Sequence, residues 1–370
     1  METKNLSDIC QYRRETVSVT SCTKETFIST ENMLPNKAGI SPASKCPTSG
    51  NVSQYYPGDV LISNIRPYFK KIYLATTSGT CSNDVLVFQP KHGICTSEYL
   101  FCALSTDDFF SYATTTAKGT KMPRGDRSAI MNHQINWVPV HEQSKIAEPI
   151  LNIYRKIELN EKINDNLYEI VDAFHKKLFT AGDLKLTTIG QYMERIYSGG
   201  TPSTSNPSYW NGVYNWFSSG ETRNPFVVST EKTITQVGID NSSTKLANKY
   251  DVVIASAGQG FTRGQTSMLL LDTYVNQSVI VLHGAKNIMP YVFWNLRQRY
   301  NELRAISDTS SIRGSLTTKT LSRLEIPEIS DTEIIEFSKI AWPAINQIEN
   351  NLNENKQLIV LRDLMLSKLF

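Results

Sequence analysis

Two kinds of polar side chain recur beside glycine in this sequence: long cations and primary amides. Arg66, Tyr68, Lys70 and Lys71 follow a short apolar run, and Lys118, Lys121, Arg124 and Arg127 crowd a Gly-containing stretch. Further on, Ser218, Ser219 and Glu221 precede the Gly-rich segment Ala257 to Gly264. That segment carries Gln259 and Arg263, with Gln265 just beyond. Arg313 and Lys319 stand in another basic loop. A guanidinium fork matches the O6 and N7 acceptors of guanine, an amide matches adenine, and an ammonium suits phosphate as a point charge. The chemistry these residues offer is recognition of duplex DNA, some by base edge and some by backbone. The plainer alternatives are a solvated charge run and an ordinary flexible loop. Asn83 and Asn276 recur at matching places, where capping a turn suits them as well as touching a base.

Groups for covalent or metal chemistry are scarcer. The six cysteines (Cys10, Cys22, Cys46, Cys81, Cys95 and Cys102) form no Cys-x-x-Cys pair, and no histidine stands near them at ligand spacing. They read as structural thiols of a reducing compartment, and no metal site is expected. Asn206-Pro207-Ser208-Tyr209 approximates the Asn-Pro-Pro-Tyr motif with which adenine methyltransferases hold a flipped base. Serine replaces its second proline and no hydrophobic strand precedes it, so it reads as a structural turn. Gly258-x-Gly260 follows a strand but opens no helix, which makes it a weak cofactor signal. No acidic pair followed by lysine has the strand context of a nuclease. No catalytic residue is assigned. A stand-alone adenine DNA methyltransferase and a helical protein-interaction scaffold remain as rivals. Binding of S-adenosylmethionine by the purified chain favours the first, and failure to bind any duplex favours the second.

Composition sets wide bounds. With 38 Lys and Arg against 35 Asp and Glu, the net charge is +3. That neither requires nor excludes nucleic acid, since binding needs local basic patches. No run reaches the roughly 18 apolar residues of a membrane span. Met1 to Cys22 shows no signal-peptide core. A cytoplasmic protein with no membrane partner is expected, and 370 residues suggest two globular units.

The elements that must position these loops occur twice, at a period of about 190 residues. Gly58 to Ser63 answers Tyr250 to Ala255, and Cys81 to Phe88 answers Val275 to Leu282; both pairs read as a turn or polar loop entering a buried strand. Helices follow at Ser97 to Leu104 and at Tyr291 to Leu303. Then come the polar loops Lys118 to Arg127 and Ser307 to Thr320, and strands closing at Trp137-Val138-Pro139 and Ile326-Pro327. A long helix ends each half, at Leu178-Phe179 and Leu369-Phe370. The layout is globular over 1–140, helical over 141–182, globular over 183–329 and helical over 330–370. Ala181-Gly182-Asp183 serves as helix stop and turn.

The first long helix carries a 4-3 stripe: Ile146, Ile150, Ile153, Ile157, Asn160, Asn164, Leu167, Val171, Phe174 and Leu178. That spacing is the seam of a coiled coil. The second stripe runs Phe337, Ala341, Ala344, Ile348, Asn351, Asn355, Leu358, Arg362, Met365 and Leu369. Arg362 interrupts it, and Ile345, Leu352, Ile359 and Leu366 form a competing line. Each seam centres on two asparagines. In antiparallel pairing Asn160 meets Asn355 and Asn164 meets Asn351, a quartet suited to fixing register because a slip leaves buried amides unpaired. Such a helix is roughly 55 Å long. Pro149 and Pro343 are expected to kink the helices or delay their onset.

His141 to Glu148 and Lys156 to Asn164 closely resemble the conserved helical region of Type I restriction–modification specificity subunits. Leu186 to Gly190, then Ser198 to Gly212, resemble the start of a target-recognition domain. Asp59 to Tyr68 and Gly119 to Asp126 are similar to segments of the same family, so the likeness spans essentially the whole chain. It implies an α/β (α+β) architecture: two tandem target-recognition domains of mixed α/β build, each followed by a long helix, the helices pairing as an antiparallel coiled coil. Each domain is implied to read one half of a bipartite, asymmetric site in double-stranded DNA. The helices are implied to set spacing and dock two modification (methyltransferase) subunits, which carry S-adenosylmethionine. A restriction or translocase subunit with ATP and Mg is an optional addition. The chain itself is expected to bind no cofactor and to be non-catalytic. The interrupted second seam and Pro343 depart from the pattern and bear on helix packing.

Overall fold

Runs of β-branched and aliphatic residues make the central strands of the computed structural model, which describes residues 2–179, 185–258, 261–309 and 315–370. The turn expected at Ala181-Gly182-Asp183 and the candidates Gln259 and Arg313 lie outside the described residues. The chain divides into two units, Met1–Glu158 with Lys356–Phe370, and Leu159–Asn355.

In the first unit Cys10–Tyr12, Val85–Pro90, Val60–Ser63 and Ile72–Leu74 form an antiparallel sheet in that spatial order. A second sheet runs Thr16–Ser18, Asn51–Tyr55, Gly79–Cys81, Phe27–Ile28, its last pair parallel. Alternation along the strands shows why the apolar runs are continuous. Val60, Ile62, Leu86 and Phe88 enter the core that also holds Tyr99, Leu100 and Phe109. Leu61, Val85 and Val87 face the opposite way, into a cluster with Ile28, Tyr55 and Cys81 of the second sheet. A strand buried on both faces has no polar side to show.

The second unit repeats this plan. Met193–Ser198, Val279–Gly284, Val252–Ala255 and Thr266–Leu269 take the same order, with Phe226–Val227 added in parallel at the edge. Lys232–Ile234, Trp210–Phe217, Thr273–Val275 and Lys245–Ala247 form the second sheet. Val252, Ile254, Ile280 and Leu282 point to one core, and Val253, Val279 and Val281 to the other. The correspondence reaches single bonds. Asp59 accepts from the Tyr56 amide and Asp251 from the Asn248 amide, each at 2.8 Å. A two-stranded ribbon closes each unit, Glu2–Asn5 with Gln134–Trp137 and Leu186–Thr188 with Glu325–Pro327.

The long helices are Val140–Phe179 and Asp331–Leu369. Both begin before their prolines, so Pro149 and Pro343 delay neither onset; both rings are exposed on the outer face. Pairing is antiparallel in each unit. In the first, Ala147, Ile150 and Leu151 share a core with Leu366. In the second, Val171 and Phe179 share one with Phe337 and Ala341.

The second seam proves less interrupted than its sequence suggests. Arg362 is buried in it, with its guanidinium carbon 5.0 Å from the Tyr154 ring centroid and its Nε donating to Asp363 at 3.0 Å. Cation–π stacking and a carboxylate let an arginine occupy a seam position. The competing line fails at Ile359, which is 39% exposed. All six thiols are free. Burial raises those of Cys81 and Cys95 to about 12, which makes them inert. Among the described residues no helix is long and apolar enough to cross a membrane.

Candidate nucleic-acid interface

The first domain brings its two cationic groups together. The Val60–Ser63 strand runs into a 3-10 turn, Pro67–Phe69, flanked by Arg66 and Lys70 in the left-handed region at φ 51° and 52°. That conformation is unusual for residues with a Cβ and needs support. The support is backbone hydrogen bonds, each 2.8 Å: Arg66 N–H to the Pro123 carbonyl, Asn36 N–H to Phe69 and Lys37 N–H to Lys70. The Pro123 bond ties the turn to the second loop. There Lys118 and Arg124 exchange both backbone hydrogen bonds, at 2.8 and 2.9 Å, and Gly125 N–H donates to the Asn64 carbonyl. A Cβ at Gly125 would stand 2.8 Å from Asn64 Oδ1 and 2.9 Å from Ile130 Cδ1, so a larger residue at this junction has to displace the ends of both side chains.

The side chains there differ in what remains free. Lys71 donates to the Thr30 carbonyl at 2.6 Å, and burial lowers its pKa. Lys70 pairs with Asp107 at 2.9 Å, beside the buried Lys37, which bridges Asp107 and Asp363. These two lysines tie the loop down more than they offer charge outward. Lys118 pairs with Asp126, whose side chain also caps the Arg127–Met131 helix through the Ser128 and Ala129 amides. Hydrogen bonds from Lys118 and those amides hold the Asp126 carboxyl below its ordinary range. Arg124 grips Asp84 side-on, Nε to Oδ1 at 3.1 Å and Nη2 to Oδ2 at 3.3 Å, and Arg127 donates to the Asn83 carbonyl. Lys121 is exposed and forms no ion pair with a described residue. Tyr68 is exposed too, its ring 4.8 Å from that of Phe69. Phe69, Met122 and Asp84 belong to this surface and were missed from the sequence. Phe69 and Met122 are signalled only by adjacency to Lys70 and Lys121, and Asp84, 40 residues from Arg124, carries no such signal.

The second domain uses the same two places with other residues. Ala255 N–H donates to the Gln265 carbonyl as Ser63 N–H does to Lys71, so Gln265 stands where Lys71 does. Leu316 N–H bonds the Ser256 carbonyl at 2.9 Å, bringing residues 315 onward beside the loop that starts at Ser256. Arg263 is turned inward instead of outward. It is 9% exposed and paired with Asp308, because the loop folds against the Tyr300–Thr309 helix. Phe261, 83% exposed, takes the outer position, its carbonyl accepting from Tyr300 Oη at 2.8 Å.

Glu221 is no surface reader. Its Oε1 accepts from Ser218 N–H and Oγ, its Oε2 from Glu231 N–H, and burial raises its pKa. Ser218 is consumed by that capping box; Ser219 stays partly exposed next to Gly220. Lys319 is exposed on the Thr318–Ser322 helix, lining a shallow cleft with Arg299, Glu302 and Arg323. Asn83 and Asn276 are both turn residues but do not stand at matching places: Ser82, whose Oγ accepts from Asp84 N–H, is the counterpart of Asn276. Asn83 donates to the Asn51 carbonyl and accepts from Ser53 Oγ, and Asn276 accepts from Ser278 N–H. Asn206 to Tyr209 is a turn as well, with Asn206 Oδ1 capping Ser208.

At the helix pair, Asn160 Nδ2 donates to Asn355 Oδ1 at 2.8 Å and to Glu354 Oε2 at 2.7 Å. Asn351 Nδ2 donates to Asn164 Oδ1 at 2.8 Å, and Asn351 Oδ1 accepts from Gln347 Nε2 at 2.7 Å. These are the pairings that antiparallel packing calls for, with Glu354 and Gln347 as additional members.

The arrangement has known counterparts. The Type I restriction modification DNA specificity domain family matches residues 1–169 and again 184–357. The chain is 23% identical to the Type I restriction enzyme HindI specificity subunit of Haemophilus influenzae, over 93% of each chain. It is 27% identical to the EcoR124I/EcoR124II specificity subunit of Escherichia coli, over 64% of this chain and 66% of that one. Its fold is similar to the crystal structure of a Type I restriction–modification S subunit from M. genitalium, at TM-score 0.65 and 13% identity, covering 100% of this chain and 96% of the other. Two matches that together take in nearly all of a duplicated chain leave one assignment: this protein belongs to the Type I restriction modification DNA specificity domain family.

Proposed function

We infer that this chain is the sequence-reading, non-catalytic subunit of a Type I restriction–modification complex, working in the cytoplasm on double-stranded DNA. Each domain reads one half of a bipartite site, and the helix pair sets the spacing and docks two methyltransferase subunits. A restriction or translocase subunit, with its ATP and Mg, joins where the system has one; S-adenosylmethionine belongs to the methyltransferase.

One observation carries the reading. The same backbone frame presents two loops in each domain, and among the described residues the side chains on them differ: Lys118, Lys121, Arg124 and Arg127 beside Tyr68 in the first, Phe261, Gln265 and Ser315 with Lys319 in the second. A shared frame with unlike readers suits two different half-sites. Loops held by a rigid sheet are where such contacts belong. The stand-alone methyltransferase gains no support, because the Asn206 oxygen that would meet a target amine is used inside its own turn.

The test is to co-express the chain with the methyltransferase encoded beside its gene and map methylated adenines across the genome. The expected result is one motif of two short defined halves around an unread gap. A complex that forms, binds S-adenosylmethionine and yet adds no methylation would overturn the proposal.

A further inference from the structure

We propose that Arg124 reads a guanine in the first domain's half-site and that Asp84 is the positioning residue that aims it. The inference rests on the DNA-reading function and adds a base, a residue and a means of orientation.

Geometry comes first. Asp84 engages the guanidinium side-on, through Nε and Nη2. A guanidinium has five N–H bonds, and this grip uses two. The free hydrogens include one pair along the Nη1–Nη2 edge, the edge that meets O6 and N7 of guanine with two parallel bonds. The arginine side chain is 52% exposed and that of Asp84 37%, so the pair lies at the surface with its outer edge open. An exposed ion pair adds little to stability. What it does is hold a long side chain in one rotamer before DNA arrives, which lowers the ordering cost of binding.

The carboxylate also decides what Arg124 meets. A phosphate contact needs no fixed orientation, and a carboxylate within hydrogen-bond distance of the guanidinium repels a phosphate. The neutral edge of guanine meets no such repulsion. Exposed Lys121, nearby in sequence and with no carboxylate partner among the described residues, is placed for the phosphate backbone instead.

The duplication supplies an internal comparison. In the first domain Asn64 N–H bonds the Asp84 carbonyl at 2.8 Å and Gly125 N–H bonds the Asn64 carbonyl at 3.1 Å. In the second, Ser256 N–H bonds the Ser278 carbonyl and Leu316 N–H bonds the Ser256 carbonyl, each at 2.9 Å. Ser278 therefore occupies the place of Asp84, and Ser315, preceding Leu316, that of Arg124. The backbone frame persists while the ion pair becomes two serines. A pair required by the fold would be needed in both domains; a pair that reads a base is needed only where that base occurs.

The experiment uses the full chain in complex with its methyltransferase, a randomised duplex library, and the variants Arg124→Ala, Arg124→Lys and Asp84→Asn. Unmodified complex is expected to require guanine at one position of one half-site. Arg124→Ala should lower that preference roughly ten- to hundred-fold and leave the other half-site intact. Arg124→Lys should not restore it, since an ammonium lacks the two-bond edge. Asp84→Asn should relax the same position while overall affinity holds or rises, because a negative charge has gone. Uniform weakening of all sequences by Arg124→Ala, with a shallower salt dependence, would make Arg124 a phosphate contact and overturn the proposal. An unchanged motif in all three variants overturns it too. If the unmodified complex shows no sequence preference, the DNA-reading function itself fails, and this assignment with it.

Discussion

His175 shows at the scale of one residue how burial turns a titratable group into a pH liability. It is 1% exposed, stacked on Tyr291 at 5.6 Å and flanked by Phe179 and Phe337. Neither ring nitrogen has a hydrogen-bond partner among the described residues. Burial lowers its pKa to about 4, against a smaller upward pull from Asp172. Above its ordinary pKa the ring is neutral whether folded or unfolded, and stability is unaffected. As pH falls from that value toward about 4, the unfolded chain takes a proton that the folded one refuses, so stability is lost through that window. The full loss is on the order of 3 kcal/mol. His175→Phe, which keeps an aromatic ring in the cage, should remove this part of the acid sensitivity. Urea unfolding at pH 7.5 and pH 4.5 measures it: an unchanged gap between the two pH values in the variant would show that His175 is not the group responsible.

At the scale of the element, the helix pair places polarity where a coiled coil ordinarily puts leucine. Asn160, Asn351 and Asn355 are buried, and Asn160 Oδ1 lies buried with no partner among the described residues. A network short of one bond costs stability relative to apolar packing. Replacing Asn160, Asn164, Asn351 and Asn355 together by leucine should therefore raise the melting temperature by several degrees, while removing what distinguishes this register from a slipped one. Calorimetry decides: a marked fall in melting temperature would mean that the amides stabilise the pair outright. Glu354, partly exposed beside Asn160, can rehydrate when its donor goes.

At the scale of the whole molecule, sequence distance is a poor guide to which parts depend on each other. The first domain's core contains Leu366, with Met365, Leu369 and Phe370 packed against it. Asn136 donates to the Phe370 carbonyl at 2.8 Å, and the Tyr99 and Phe370 rings lie 4.9 Å apart. Residues 356–370 belong to the first unit although residues 159–355 intervene. Removing them opens a face of that core, and loss of the buried Leu366 together with the partly buried Phe370 costs on the order of several kcal/mol. Hydrogen exchange should then show protection lost in the strands Val60–Ser63 and Val85–Pro90 and retained in Val252–Ala255 and Val279–Gly284. Equal loss in all four strands would mean that the two cores do not respond separately.

The sequence by itself determined the duplication, the long helices, the central strands and the asparagine pairing, because each is written in local periodicity: alternation along strands and a 4-3 stripe along helices. It also located the loops that meet in each domain. Which loop residues face outward was decided by tertiary structure. Arg263 and Arg124 look alike in sequence, each in a Gly-containing polar loop, yet one is buried against Asp308 and the other is held open by Asp84. Lys70 and Lys71 read as free cations until Asp107 and the Thr30 carbonyl are brought beside them. Arg362 reads as a break in the seam until Tyr154 and Asp363 surround it. In each case the deciding partner is distant in sequence or carries no signal of its own. Local periodicity says where a side chain starts; only the packed fold says what it meets.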